Sequence, residues 1–311
     1  MNLWRKFKTF LKRPGNYFRY KKKFLRYLYF LFSKYLHFRT YLSRVGPKKF
    51  INSNYQNFEF IDDKEGFKLI KASKLTKENT NVKEVVEKIN IDLKKIDLNK
   101  LKSSEEGIVK LKTSSDFDHK SPEFKFVINK YLIEIVSSYL KCIPILTNLS
   151  LWYSPNQKLI ENSSQEYHLD HEDYRQIKGF LFINEIDEQT GPVNIINKIQ
   201  SNNIEKLINY KMTEKNKRVS DKIIQDLKQK TNIDENIITG KPGDLLLCDT
   251  SSCFHFGSRL AIKPRLILAF QFMTPFSFSV DWNWKNSDRL PYKNLKFDNN
   301  SLIRKVLGNE I

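Results

Sequence analysis

The feature that most constrains the fold is a polar pair placed shortly before a long apolar segment. His168 and Asp170 are two residues apart, so in an extended segment both side chains project to the same side. Residues 177–183 are apolar almost throughout, which is typical of a strand covered on both faces. A strand of this kind needs packing layers on two sides. The sequence therefore predicts layered β-structure that carries an imidazole and a carboxylate at one point.

A second stretch, residues 243–272, supplies another imidazole at His255 and an arginine at Arg265, where a new strand begins. Two histidines and one carboxylate with open positions suit non-haem Fe(II). The guanidinium of Arg265 is suited to pair with a carboxylate through two hydrogen bonds. Alternation along the strand places Arg265 on the interior face with Ile267, Ala269 and Gln271, and the opposite, apolar face is predicted to pack against helices.

Taken together, the two stretches resemble the phytanoyl-CoA dioxygenase family of Fe(II)- and 2-oxoglutarate-dependent oxygenases. The resemblance covers roughly residues 140–275 and is carried by His168-x-Asp170, an apolar strand ending in Asp187-Glu188-x-x-Gly191-Pro192, Gly243-Asp-Leu-Leu-Leu before His255-x-Gly257, and Arg265. Such proteins often carry a Ser-His pair after the Gly-Pro strand, near the substrate, where this chain has residues 197–201 without histidine. This difference from the family pattern affects the prediction of the substrate more than the prediction of the reaction.

The resemblance implies a mainly β fold with flanking helices, built on a double-stranded β-helix of the jelly-roll or cupin type. It implies a hydroxylase that uses Fe(II), 2-oxoglutarate and O₂, with iron on His168, Asp170 and His255 and oxoglutarate on Arg265. Trp152 and Gln165 are expected as cavity walls around the co-substrate. Retention of Asp170 favours hydroxylation over halogenation, because related halogenases lack this carboxylate. The expected substrate is a small molecule, a lipid or a lipid-linked glycan.

Several alternatives remain open at this point. The pair His171-x-Asp173 offers a second register for the metal ligands, and Arg259 is the other candidate for the oxoglutarate contact. The chain can also be a non-catalytic jelly-roll protein whose barrel supports a binding arm, although such a module needs none of these residues together.

Charge separates the first fifty residues from the rest. They hold 15 of the 54 basic residues and none of the 35 acidic ones, which leaves 39 basic against 35 acidic in the remaining 261. Aromatic residues are interleaved with these cations, which is typical of helices lying in an anionic membrane interface. The longest uncharged apolar run, residues 27–32, is too short to span a bilayer. Packing of the arm on its own protein is the next alternative, and nucleic acid is the least favoured partner because no motif accompanies the patch.

The predicted organisation is thus an arm over residues 1–50 and an oxygenase domain over residues 51–311. Because every proposed ligand lies beyond residue 160, we expect a chain beginning near Lys48 to fold without the arm. Helices are predicted over 80–98 and 121–140, strands near 149–154 and 193–196, and a helical insertion over about 203–230. Three cysteines without CxxC spacing indicate a reducing compartment, so the expected location is cytoplasmic, with peripheral attachment at the inner membrane face.

Overall fold

Two antiparallel sheets form the centre of the protein. The computed structural model describes residues 18, 23–45, 58–98, 101, 107–155, 163–210, 218–259, 261–277, 279–280, 290–295 and 300–309. The strands within these residues are β1 Phe67–Ile70, β2 Val109–Lys112, β3 Ile145–Ser154, β4 Tyr167–His168, β5 Gln176–Phe182, β6 Val193–Ile196, β7 Arg218–Val219, β8 Glu235–Ile238, β9 Leu245–Cys248, β10 His255–Phe256 and β11 Arg265–Met273. Six of them pair in the order β1-β9-β5-β11-β3-β2, and five pair in the order β7-β4-β10-β6-β8.

Helices flank the sheets. Their bounds are α1 Lys23–Leu36, α2 Phe38–Val45, α3 Ala72–Lys77, α4 Val82–Leu93, α5 Pro122–Val127, α6 Lys130–Leu140, α7 Lys198–Leu207, α8 Asp221–Lys228 and α9 Ser301–Leu307. Short 3₁₀ turns occur at Ser114–Asp116 and Glu188–Thr190. The sheet-rich architecture with flanking helices that the sequence predicts is confirmed.

The alternation along β11 separates two packing regions as predicted. Ile267 and Ala269 pack in one apolar cluster with residues of both sheets, including Phe180 of β5 and Val193 of β6. On the opposite face, the side chains join a larger cluster that also contains buried residues of α4, α5 and α6; these side chains are Leu268, Phe270 and Phe272. The larger sheet therefore has helices outside it and the smaller sheet inside, which leaves the beginning of β11 facing the interior.

The helix predicted over 121–140 is two helices. Pro122 begins α5 as expected, and the Ser121 hydroxyl accepts a hydrogen bond from the Phe124 N–H at 3.3 Å. The helix ends at Val127 because Asn129 adopts an extended backbone and its side chain accepts from the Tyr131 N–H at 2.9 Å, which starts α6. An N-cap in the middle of the pattern thus divides one apolar face between two helices.

The region predicted as a helical insertion also contains a strand. Helix α7 begins at Lys198, before the expected start, with the Asn197 side chain accepting from the Gln200 N–H at 2.9 Å. Between α7 and α8, strand β7 pairs with β4, so that Arg218 lies opposite His168. This region therefore extends the edge of the smaller sheet and reaches the segment that holds the polar pair.

The described part of the arm, helices α1 and α2, packs on the rest of the protein through one face. Helix α1 buries Arg26, Tyr29, Phe30 and Ser33, and the buried Arg44 guanidinium of α2 donates to the backbone carbonyls of Ile143 and Lys305 at 3.2 and 2.8 Å. The sequence also predicts turns in the arm, at Gly15 between two helical pieces and at Gly46-Pro47 after the second, and both positions lie outside the described residues. Within the part of the chain that the structure describes, no helix combines the length and apolarity needed to cross a membrane.

Candidate metal centre

Strand pairing brings the two distant histidines side by side. His255 of β10 lies directly opposite His168 of β4, and the two ring centroids are 4.3 Å apart. Asp170 follows β4, and its backbone N–H donates to the Thr250 carbonyl at 2.8 Å, which fixes the loop beside the histidines. One potential ligand atom from each of His168, Asp170 and His255 lies within 4.8 Å of the others. This spacing suits three ligands of one metal ion.

Backbone carbonyls orient both imidazoles. The Nδ1 atom of His168 lies 2.8 Å from the Glu166 carbonyl, and that of His255 lies 3.0 Å from the Cys253 carbonyl. A carbonyl oxygen can only accept, so each Nδ1 carries the proton and each Nε2 presents its lone pair. The His255 Nε2 atom lies 3.8 Å from an Asp170 carboxylate oxygen. The hydrogen bonds at Nδ1 therefore leave Nε2 of each ring unprotonated, which is the form that binds a metal ion.

Burial and neighbouring charge set the protonation of the three groups. Burial lowers the pKa of His168 and of His255, so both rings are neutral and able to coordinate. Burial alone would raise the pKa of Asp170, but the Lys178 ammonium 2.7 Å away holds it below its ordinary range. The site therefore presents two neutral nitrogens and one carboxylate anion, the donor set of a facial triad.

The alternative register does not form such a cluster. Both oxygens of the buried Asp173 carboxylate are engaged, one by the N–H and hydroxyl of Thr274 at 2.8 Å each and the other by the Tyr174 N–H. His171 and the triad residues line one cavity. Among the described residues, however, His171 belongs to no group of three side chains close enough together to bind one metal ion. The geometry thus favours the register of His168 and Asp170.

Arg265 is a buried cation that faces the same cavity. It is 4% exposed, and burial lowers its pKa to about 10. One of its terminal nitrogens donates to the Gly191 carbonyl at 3.0 Å, and no carboxylate in the described part of the chain pairs with it. Gly257 makes room for it, because a Cβ there would lie 3.1 Å from a guanidinium nitrogen. A buried guanidinium without an anion favours an anionic ligand.

The other arginine candidate is engaged elsewhere. The Arg259 Nε donates to the Gln165 carbonyl at 2.8 Å, and its guanidinium lies 3.5 Å from the Phe256 ring centroid. It also forms an ion pair with Asp221. Arg259 does not line either of the two cavities described below. These contacts leave Arg265 as the better candidate for an anion within the cavity.

The cavity has a volume of about 420 Å³ and takes its lining from both sheets. Trp152 lines it, as the sequence predicts, beside Arg265 and the three triad residues. Gln165, expected as a second wall, is not among the lining residues. Its side-chain amide is fully buried and donates to the Ser258 carbonyl at 2.8 Å, so it holds the loop after β10 instead.

The sequence reasoning missed the cationic character of the cavity. Lys178, Lys110 and Arg218 all line it in addition to Arg265. The signal for Lys178 was available, because a lysine inside an otherwise apolar strand alternates onto the same face as Phe180 and Phe182. Lys110 and Arg218 lie on short strands that carry no such signal.

A second cavity of about 560 Å³ shares Lys110, Trp152 and Lys178 with the first, so the two adjoin. Its remaining lining is rich in hydroxyl and amide side chains, namely Thr113, Ser114, Ser115, Thr147, Asn148, Ser150 and Gln271. Ser150 and Gln271 lie on the interior face of the larger sheet, on β3 and β11. The space beside the triad is therefore lined by hydrogen-bonding groups.

No family model and no curated protein matches the chain. Among solved structures, it is similar to SnoN, a non-heme alpha ketoglutarate dependent epimerase from nogalamycin biosynthesis, with 11% identity and a TM-score of 0.43 over 68% of this chain and 78% of that one. It is similar to EctD from S. alaskensis, solved with 2-oxoglutarate and 5-hydroxyectoine, with 14% identity and a TM-score of 0.43 over 72% and 80%. HygX from Streptomyces hygroscopicus, solved with nickel and 2-oxoglutarate, gives 13% identity and 0.44 over 69% and 84%. These likenesses are distant, so the functional assignment depends on this chain's own side chains.

Proposed function

We propose that the chain is an Fe(II)- and 2-oxoglutarate-dependent dioxygenase that hydroxylates a C–H bond of a small-molecule, lipid or lipid-linked glycan substrate. The observation that carries this proposal is one cavity that holds two neutral histidines, one carboxylate and a buried guanidinium that pairs with no carboxylate among the described residues. The triad fits a divalent iron with open positions, and Arg265 fits a dicarboxylate. In this proposal the two sheets form a double-stranded β-helix, and the chain belongs to the phytanoyl-CoA dioxygenase-like group.

Each residue has a separable role in this proposal. His168 and His255 would hold the metal through Nε2, and Asp170 would hold it through a carboxylate that Lys178 keeps ionised. Arg265 would bind the distal carboxylate of oxoglutarate. When bound, iron and oxoglutarate supply the activation of O₂. The apolar side chains of the cavity wall exclude water from that chemistry; they include Trp152, Phe180, Val193 and Phe256.

The adjoining polar cavity favours a substrate that carries hydroxyl or anionic groups. Lys110 lies at the junction of the two cavities, and the hydroxyl and amide side chains around it offer both donors and acceptors. A purely apolar substrate would leave these groups without partners. Stimulation of oxoglutarate turnover should therefore be greater with hydroxylated or phosphorylated compounds than with fatty acyl compounds of similar size.

Succinate formation tests the proposed activity. Full-length protein incubated with Fe(II), oxoglutarate and O₂ should convert oxoglutarate to succinate, and Asp170→Ala should abolish the conversion. A protein that binds neither Fe(II) nor oxoglutarate, and forms no succinate with any substrate class, would be a non-catalytic module. That result would leave the alternative of a barrel that supports a binding arm.

A further inference from the structure

Exposed apolar side chains concentrate on α1 and α2. Of the seventeen large apolar residues that the described part of the chain exposes, ten lie on these two helices. They include Leu28 at 43%, Leu31 at 42% and Leu42 at 56% exposure, together with Phe24, Leu25, Tyr27, Phe32, Tyr35, Leu36 and Phe38. A contiguous apolar surface of this kind marks an interaction site when it is not covered.

The contacts that α1 and α2 make with the rest of the protein determine which side of these helices is exposed. Phe30 contacts the Tyr174 ring at 5.4 Å between centroids, and Tyr41 contacts the Phe276 ring at 5.9 Å. Lys23 forms an ion pair with Glu205 at 3.0 Å. Because aromatic and ionic contacts hold one side of the helices against the domain, the leucine-bearing side is held outward.

Charge complementarity selects the occupant of this surface. The first fifty residues carry 15 cations and no acid, so a second copy applied to the same face would bring two strongly positive arms together. A nucleic acid would meet the cations and could stack bases on the exposed rings, but it would leave the five exposed leucines without an apolar partner. Acyl chains beneath anionic headgroups match both the leucines and the cations.

We propose that α1 and α2 form a docking face for an anionic membrane surface, on which they lie parallel to the bilayer plane. The leucines enter the boundary between headgroups and acyl chains, the exposed Arg39 of α2 meets the phosphates, and the net positive charge of residues 1–50 attracts the anionic surface. This inference goes beyond the proposed oxygenase activity and does not depend on it, since no residue of the docking face lines either cavity.

The docking face is physically connected to the candidate metal centre. Tyr174, which α1 contacts through both Tyr27 and Phe30, follows Asp170 by four residues in the same loop. Glu172 of that loop lines the metal cavity. A bilayer bound to α1 therefore lies on the side of the protein where the ligand-bearing loop is held.

Vesicle binding by the full-length protein tests the proposal. The probe is a set of large unilamellar vesicles of phosphatidylcholine with either 30% or no phosphatidylglycerol, sedimented at 0.1 and 0.5 M salt. The parent protein should sediment with the anionic vesicles, more weakly at high salt but still measurably, because the apolar contribution is not screened. The triple variant Leu28→Ser, Leu31→Ser, Leu42→Ser should lower the partition coefficient at least roughly tenfold.

A matched control variant is available elsewhere on the surface. Ile91, Ile237 and Ile262 are 54%, 54% and 68% exposed, so Ile91→Ser, Ile237→Ser, Ile262→Ser removes a similar amount of exposed apolar side chain away from the arm. This control should bind vesicles as the parent does. Circular dichroism melting shows whether the leucine variant is folded, and if it is not, the single changes Leu31→Ser and Leu42→Ser should each give a partial loss.

Three results would overturn the inference. The first is a folded parent protein that ignores anionic vesicles. The second is an equal loss of binding in the isoleucine control. The third is an oligomer of the parent that the leucine changes alone convert to a monomer, without vesicle binding, which would assign the face to contact between copies.

Discussion

The most informative single change at the candidate site is Arg265→Lys. It keeps the positive charge in the cavity but removes the planar guanidinium. One terminal nitrogen of Arg265 already donates to the Gly191 carbonyl at 3.0 Å, so its other N–H groups remain available to a carboxylate. A lysine ammonium cannot keep that carbonyl contact and also present two parallel donors to a carboxylate.

The size of the effect follows from the number of hydrogen bonds lost. Replacing a two-pronged contact by one ammonium removes at least one hydrogen bond to a charged group, worth about 1.5–3 kcal/mol. The oxoglutarate Kd should therefore rise about 10- to 150-fold. The assay is isothermal titration of oxoglutarate into the Mn(II)-loaded full-length protein without oxygen.

Arg259→Lys is the matched control for this experiment. Its guanidinium is held by the Gln165 carbonyl at 2.8 Å and by Asp221, and it does not line the cavity. The control should leave the oxoglutarate Kd unchanged. If Arg265→Lys bound oxoglutarate as the parent does while Arg259→Lys lost affinity, the assignment of the two arginines would be reversed.

Three further predictions concern the same region. Asp170→Ala should weaken Mn(II) binding by more than roughly 100-fold in titration calorimetry, since even partners of metal ligands contribute 10–100-fold, whereas His171→Ala should change it far less. Gly257→Ala should weaken oxoglutarate binding without unfolding the protein, because its Cβ would lie 3.1 Å from a guanidinium nitrogen of Arg265; an unchanged Kd would show that the guanidinium has room to move. Burial raises the pKa of Asp173 to about 7, so the folded protein keeps a proton that the unfolded chain loses near pH 4, and stability falls as pH rises between the two values. Asp173→Asn should lack this part of the pH dependence, and parallel pH profiles of urea unfolding for both proteins would contradict the assignment.

Local patterns in the sequence predicted what depends on local geometry. The alternation along β11 correctly separated Ile267 from Leu268, because side-chain direction in a strand follows from position alone. The break before α6 was missed although Asn129 is a good N-cap, since the apolar period continues through it. Continuous periodicity therefore predicts a shared face better than it predicts one uninterrupted helix.

Contacts between distant segments were predictable only in part. The ordered motif was enough to expect His168 and His255 together, but not their direct opposition across β4 and β10. Gln165 was expected at the cavity from the family resemblance, yet its amide donates to the Ser258 carbonyl. The side-chain direction of a residue in an irregular segment depends on partners that the sequence does not reveal.

The contacts between the arm and the domain were the least predictable part of the fold. Arg44 is fully buried. Its carbonyl partners are Ile143, 99 residues later in the chain, and Lys305 of the last helix, α9. No pattern in residues 1–50 indicates such partners. Removing the arm would expose the docked surface around Tyr174 and Phe276, so thermal melting of a chain beginning near Lys48 tests the prediction that the domain folds without the arm.

The Arg44 contact also has a consequence for the order of events during synthesis. Arg44 and Lys305 are separated by 261 residues, so helices α1 and α2 leave the ribosome long before the last segment against which they pack. At about 5–20 residues per second, that interval is about 10–50 s. Until that segment has been synthesised, the surface on which these basic and apolar helices pack is incomplete. A bilayer near the ribosome can therefore reach them before their own protein does.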